Sequence, residues 1–263
     1  MTFISSLQQK LNYAQTPVVE VEVSMMFKIG KHLYPDSLDE QDYRANNLVF
    51  GIPSRESVGK PIFGNIDVKF DNKSATDISM ASIPEFTIAE DANLVFAYIT
   101  ADGGTDISGM SLKIGGATMN RLPDIKVGSS SLLVFWLQDP PTGARSIKII
   151  GAGYGVYYST GAASYKLAAP AGIGTPVVAT GYGLSGSVST TSNAHGMSVN
   201  AFFYDGVRST YNQTERGYRD AVAFKNKGLI FGDAPGGPAT FTTTLAADGK
   251  WLGVAIPIIS NAE

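Results

Sequence analysis

The chain has 263 residues, 44% of them hydrophobic and 16% charged, with a formal net charge of -3. That balance predicts a folded chain with a sizeable core and gives no broad basic surface to attract nucleic acid or an anionic membrane. Cysteine is absent and the two histidines are His32 and His195, which excludes disulfides, thiolate zinc sites, a cysteine nucleophile and a His-rich metal cluster.

The first residues, MTFISSLQQKLNYAQ, lack the basic-then-apolar order of a secretory signal. No apolar run reaches the length of about 18 residues that a membrane helix needs. The expectation is a protein made in the cytoplasm with no membrane span. Phe3, Ile4, Leu7 and Leu11 share one face at helical spacing, which predicts a short amphipathic helix over 3–12. A helix so short is marginal in water unless it docks. Over 18–29, Val19, Val21, Val23 and Met25 alternate with Glu20, Glu22 and Ser24, the period of a half-buried strand. Residues 30–47 are polar and turn-rich, and 48–52 form a short strand candidate. Ile62, Ile66, Val68 and Phe70 mark another alternating strand, and Asp71, Asn72, Lys73 and Ser74 read as its closing turn. Residues 1–75 thus predict a small β-rich segment with one helix, and a boundary is expected between about 72 and 84.

From Pro84 onward, short runs of β-forming residues recur between Gly, Ser, Thr and Pro clusters. The predicted strands cover 85–88, 93–100, 111–114, 117–121, 132–137, 146–150, 154–158, 177–180, 187–191, 197–204, 221–224, 239–245 and 252–258. No helical periodicity appears there. The fold class is therefore all-β, a two-sheet sandwich of jelly-roll type over about 84–260. Its clearest stretch is Ser131 to Ile150. An apolar aromatic run, Leu132 to Leu137, is followed by Gln138-Asp139-Pro140-Pro141-Thr142-Gly143 and a second run, Ser146 to Ile150. Proline fixes φ and lacks an N–H, and glycine tolerates positive φ, so the spacing predicts a hairpin. Trp136 and Trp251, the only tryptophans, are expected in the core.

The order of motifs carries a resemblance. SLKIGGATMNRL precedes LLVFWL, DPPTG and SIKII; GYGLSGSVSTTSNAHGMSVNAFFYD follows; FTTTLAADGKWLGVAIPI closes the run. Over roughly residues 88–259 this resembles the C-terminal sandwich of bacteriophage tail and virion proteins, of concanavalin-like or jelly-roll type. The PPTG turn after an aromatic strand is its most specific part. The resemblance implies a multi-copy virion protein, a homo-oligomer among other virion proteins. Residues 1–80 would attach to the particle and 84–260 would be displayed on its exterior. A minor tail or tail-tip position is expected first, a head decoration or head-fibre position second. The family shares no catalytic residues, so no enzyme activity, cofactor or metal is expected.

Candidate chemistry is sparse. Gly181, Gly183 and Gly186 match G-x-G-x-x-G, but SVSTTS after them favours a strand, not the helix whose N-terminus would hold a pyrophosphate. A Gly-rich turn between strands is expected instead. His195, in Asn193-Ala194-His195-Gly196, reads as a loop residue. No G-x-S-x-G is present. Glu85, Glu90, Asp91, Asp102, Asp106, Asp124 and Asp139 are raw material for a glycosidase pair, but at strand edges and in loops solvated acids are the default. Asp102 to Asp106 lacks the regular spacing of a calcium loop. Two clusters are left as ligand or subunit contacts. Tyr154, Tyr157 and Tyr158 form a possible stacking platform for a host surface glycan. Tyr211, Arg216, Tyr218 and Arg219 lie in the polar aromatic loop YNQTERGYRD, composed of residue types enriched at interfaces.

Overall fold

The computed structural model describes residues 67–79, 81–102, 106–151, 158–166, 172–221 and 227–260. The chain divides into two compact units, Met1–Ile62 and Phe63–Glu263, and every described residue belongs to the second. The helix expected over 3–12, the strands expected over 18–29 and 48–52, and Tyr154 and Tyr157 lie outside the described residues.

In chain order the strands are β1 (Lys69–Lys73), β2 (Asp77–Ser79), β3 (Ser82–Ile88), β4 (Ala92–Ala101), β5 (Ser111–Ile114) and β6 (Ala117–Thr118). Next come β7 (Asn120–Arg121), β8 (Ile125–Val127), β9 (Ser130–Gln138), β10 (Gly143–Ile150), β11 (Tyr158–Lys166) and β12 (Gly172–Ile173). The last are β13 (Val177–Thr191), β14 (Met197–Tyr204), β15 (Arg208–Tyr211), β16 (Thr214–Arg219), β17 (Gly228–Pro235) and β18 (Pro238–Ile259). Every pairing among them is antiparallel, and no helix occurs among the described residues. The all-β sandwich expected from the sequence is what these residues form, and it contains three sheets. Sheet A has the order β1-β11-β4-β9-β7, with β2 also on β11 and β8 also on β9. Sheet B runs β3-β10-β5-β6. Sheet C runs β12-β18-β14-β17-β16, with β13 and β15 also on β18.

Sheet A is the middle layer, and the reason is in its sequence. β4 (ANLVFAYITA) and β9 (SSLLVFWLQ) are apolar at successive positions, the pattern of strands buried on both faces. Leu94, Phe96, Tyr98, Leu132 and Val134 share a core with Val199, Phe203, Phe231, Leu252 and Val254 of sheet C. The intervening residues Val95, Ala97, Ile99, Leu133 and Phe135 share a second core with Ile83, Leu112, Ile114 and Ile147 of sheet B. A third core lies on the far face of sheet C, where Val188, Phe241 and Leu245 pack with Phe202, Tyr204 and Ile230. Sheet C therefore curls over itself, with the first half of β18 folded across β14 and β17.

The double-sided middle layer corrects the hairpin reading. β9 pairs with β4, β7 and β8, while β10 pairs with β3 and β5. The Asp139–Gly143 connection carries the chain from sheet A to sheet B as an arch. Both edges of β9 are already taken, so β10 has no place beside it. Asp139 (φ 50°) and Gly143 (φ 84°) adopt left-handed backbone at the two ends of the connection, and the Asp139 N–H donates to the Asn93 carbonyl. The single strand expected over 117–121 is split in the same way. β6 lies in sheet B and β7 in sheet A, with buried Met119 at the crossing.

Other expectations shift too. Asp71 to Lys73 continue β1 past a bulge after Phe70, so no turn forms there. β1 runs into the window expected for the boundary and β2 lies within it, yet both pair with β11 of the sandwich. Residues 177–191 form one strand, β13, with a bulge between Gly183 and Ser185, in place of two strands and a Gly-rich turn. Trp251 and Trp136 pack against cores but keep part of each surface exposed.

The glycines of these strands are seats for aromatic rings. A Cβ on Gly161 of β11 would lie 2.3 Å from Phe231 Cε1, and one on Gly217 of β16 would lie 2.7 Å from Phe231 Cζ. A Cβ on Gly181 or Gly186 would meet the Trp251 ring at 2.6 and 2.7 Å. The G-x-G-x-x-G match thus belongs to an indole platform. Close ring-to-backbone approach is the reason for glycine inside a strand. Gly161→Ala should destabilise the protein by about 1–3 kcal/mol, the usual cost of overpacking. In urea denaturation, Gly161→Ala combined with Phe231→Leu should lose less than the sum of the single changes.

Candidate functional site

The richest polar cluster of the described residues lies between sheets A and C. On β17, Leu229, Phe231 and Asp233 occupy alternate positions, so Asp233 follows two core residues toward sheet A. Its side chain is 3% exposed. β16 opposes β17 with a bulge between Glu215 and Gly217, and Arg216 is the extra residue. A bulge re-aims a side chain. Here Arg216 Nε donates to Asp233 Oδ2 at 2.6 Å and Nη2 to Oδ1 at 2.9 Å. The back of the guanidinium lies over the Phe70 ring, 3.7 Å from its centroid. The Tyr165 hydroxyl of β11 donates to Asp233 Oδ2 at 3.3 Å. The Tyr211 hydroxyl donates to Asn200 Oδ1 of β14. Tyr98 stacks on Phe231 with centroids 4.9 Å apart. Its hydroxyl and Asn200 Nδ2 are buried without a hydrogen-bond partner.

Burial pushes the Asp233 carboxyl above its ordinary value, against the pull of Arg216. Burial also raises the Tyr98, Tyr165 and Tyr211 hydroxyls well above theirs, and the Asp233 charge adds to it in each case. Arginine is the right cation for this place, because its planar fork meets a carboxylate with two parallel bonds. The seam joins β1, β11, β16 and β17. Chemically it is a closed ion pair under a tyrosine, suited to holding two sheets in register.

A second cluster ties down the β14–β15–β16 surface. The Tyr204 hydroxyl is 2.9 Å from both the Arg219 carbonyl and Asp220 Oδ1, and the Arg208 N–H donates to the same Asp220 oxygen at 3.0 Å. Arg208 bonds Glu215 at 2.6 Å and lies 4.0 Å over the Tyr218 ring. A third cluster sits at one end of the sandwich. Lys227 Nζ bridges Asp102, just past the end of β4 in sheet A (3.2 Å), and Asp205, just past the end of β14 in sheet C (2.8 Å). Ser129 and Ser130 hydroxyls donate to Asp102 Oδ1 at 2.8 and 3.1 Å. Burial raises the Asp102 pKa, but those hydroxyls and Lys227 outweigh it and hold the carboxyl below its ordinary value. Near the other end, His195 Nδ1 lies 2.7 Å from Asp67 Oδ1 and the His195 carbonyl accepts from the Val68 N–H. His195 is the loop residue the sequence predicted, and the loop fastens the start of the described chain.

The proposed contact residues separate. Tyr158 is fully buried in the core between sheets A and B and offers no surface to a ligand. Tyr211 and Arg216 belong to the buried seam. Arg219 contributes its carbonyl to Tyr204. Tyr218 keeps an exposed ring, with Arg208 over one face. The stretch YNQTERGYRD is the end of β15, a turn and β16, so its polar residues bind strands. Asp233, the centre of the seam, was hidden because 228–235 carries no turn-bounded alternation. The Leu229-Ile230-Phe231 run before it was the available signal. Comparison of the chain with protein-family models, characterised proteins and solved structures finds no match.

Removing one partner of a buried pair strands the other charge. Arg216→Met should cost about 3–5 kcal/mol near neutral pH. Without Arg216, the folded-state pKa of Asp233 stands further above its unfolded value of about 3.9. The variant's stability is then fullest below that value and falls as pH rises. Its deficit against the parent should narrow toward pH ~4 in urea titrations; a deficit that does not change with pH would mean the stranded charge is not the cause. Tyr98→Phe removes a hydroxyl with no partner, so it should leave stability unchanged or raise it by up to about 1 kcal/mol. Tyr165→Phe should lower it, and thermal unfolding compares the two.

Proposed function

We propose that the chain is a non-enzymatic structural protein of a bacteriophage virion, a minor tail or tail-tip protein that presents the sandwich outward. The residues ahead of the sandwich would dock it on the particle. One observation carries the reading. SLKIGGATMNRL, LLVFWL, DPPTG, SIKII and the closing FTTTLAADGKWLGVAIPI, taken in that order, resemble virion sandwich modules. The use of charge supports it. Asp233 with Arg216, Lys227 with Asp102 and Asp205, and Asp124 with Arg121 and Lys126 are bound to one another, holding strands and loops together. Such bracing suits a module whose task is to stay folded on an exterior surface.

Mass spectrometry of purified particles should find this chain among the virion proteins. Its absence from intact particles would sink the proposal. A copy number matching the capsid lattice would place it on the head as a decoration or fibre protein; one matching the tail symmetry would place it at the tail.

A further inference from the structure

Strand β13 is an edge with no described strand on its outer side; its ladder partner is β18. An open edge presents unpaired N–H and C=O groups, and proteins blunt such edges with charge, proline or shortness. Other edge strands among the described residues follow that rule. β1 carries Lys69, Asp71 and Lys73; β3 carries Pro84 and Glu85; β6 has two residues; β16 carries Glu215, Arg216 and Arg219. β13 is 15 residues long, VVATGYGLSGSVSTT, with neither charge nor proline.

Its side chains are unprotected too. Val178 and Thr180 oppose Val254 and Leu252 on β18, so they share the face that looks toward sheet A. Yet Val178 is 56% exposed, Tyr182 76% and Leu184 55%. β13 overhangs sheet A as an apolar shelf.

We propose that β13 pairs edge to edge with β13 of a second copy, antiparallel about a two-fold axis at Thr180. Three observations select this occupant. An uncharged strand meets itself without like-charge repulsion. A two-fold pairing is self-complementary and closes at two copies. The bulge-free stretch runs from Val177 to Gly183, between Pro176 and the irregularity after Gly183, and its centre is Thr180. That register sets Val178 of each copy opposite Tyr182 of the other, an aromatic–β-branched pair of the kind that stabilises sheets. It also joins sheet C of the two copies into one continuous sheet. The pairing is argued from the edge alone, and its failure in solution would leave the virion reading, tested on particles, untouched.

The full chain should sediment as a dimer at micromolar concentration. Val178→Lys with Tyr182→Lys puts lysine against lysine twice and should weaken the dimer by at least about tenfold. Val178→Glu with Tyr182→Lys puts opposite charges in the same places and should restore it. Circular dichroism and Tm check that these exposed changes leave the fold intact. The chain has no cysteine, so Thr180→Cys reports the axis directly, since directly opposed strand residues lie within disulfide reach. It should cross-link on mild oxidation, and Ser189→Cys should not. A monomeric parent, a Glu/Lys variant as weak as the Lys/Lys variant, or equal cross-linking at both positions would overturn the proposal.

Discussion

Sheet A has no solvent face, and the rest of the structure follows from that. β4 and β9 are apolar at nearly every position, so each must be covered from two sides. The hydrophobic effect acts on exposed area whatever its direction, and two-sided strands require two further sheets. The connections then become layer crossings. Asp139–Gly143 and Met119 each take the chain between sheets A and B. The small residues of β11, with Gly161, Ala162 and Ala163 in sequence, keep the middle layer thin enough for Phe231 to reach its backbone.

A core of rings and branched chains sets distance well and register poorly. The polar seam adds register. Asp233 accepts from Arg216 and Tyr165, groups carried by sheets C and A, and a one-residue slip of β17 would turn the carboxylate to the opposite face. The cost is visible in the same place, where the Tyr98 hydroxyl and Asn200 Nδ2 stay buried and unpartnered. Lys227 does similar work at the sandwich end, under water and with less strength.

Much of this architecture was legible in the residues. Alternation and turn chemistry located β4, β5, β9, β10 and β14, and the aromatic run 132–137 identified a central strand. Layer assignment was not legible, because an apolar run looks the same whether its neighbour in sequence is beside it or beneath it. The Pro-Pro-Thr-Gly segment is good turn chemistry for a hairpin and equally good for an arch; only the two-sided burial of β9 decides. β11 was missed because Gly, Ala and Ser carry little strand propensity and are chosen for what approaches them. The β15–β16 region was read as a loop since its charges point to water, yet Arg216 turns inward at a bulge that no local pattern announces. Asp233 was passed over for the same reason: its meaning comes from Arg216 and Tyr165, 17 and 68 residues away.

β18 pairs in turn with β12, β13, β14 and β15, all of which precede it in the chain. During synthesis those four strands are made first and wait for a partner that has not left the ribosome. Sheets A and B have no such dependence for their own ladders, so a nascent chain can hold two layers while the apolar face of sheet A toward sheet C stays open. Closure of that face is a late, non-local event, and long-range β pairing of this kind is slow and exposed to aggregation. The strand that completes two of the three cores is thus also the one that times the folding of the molecule.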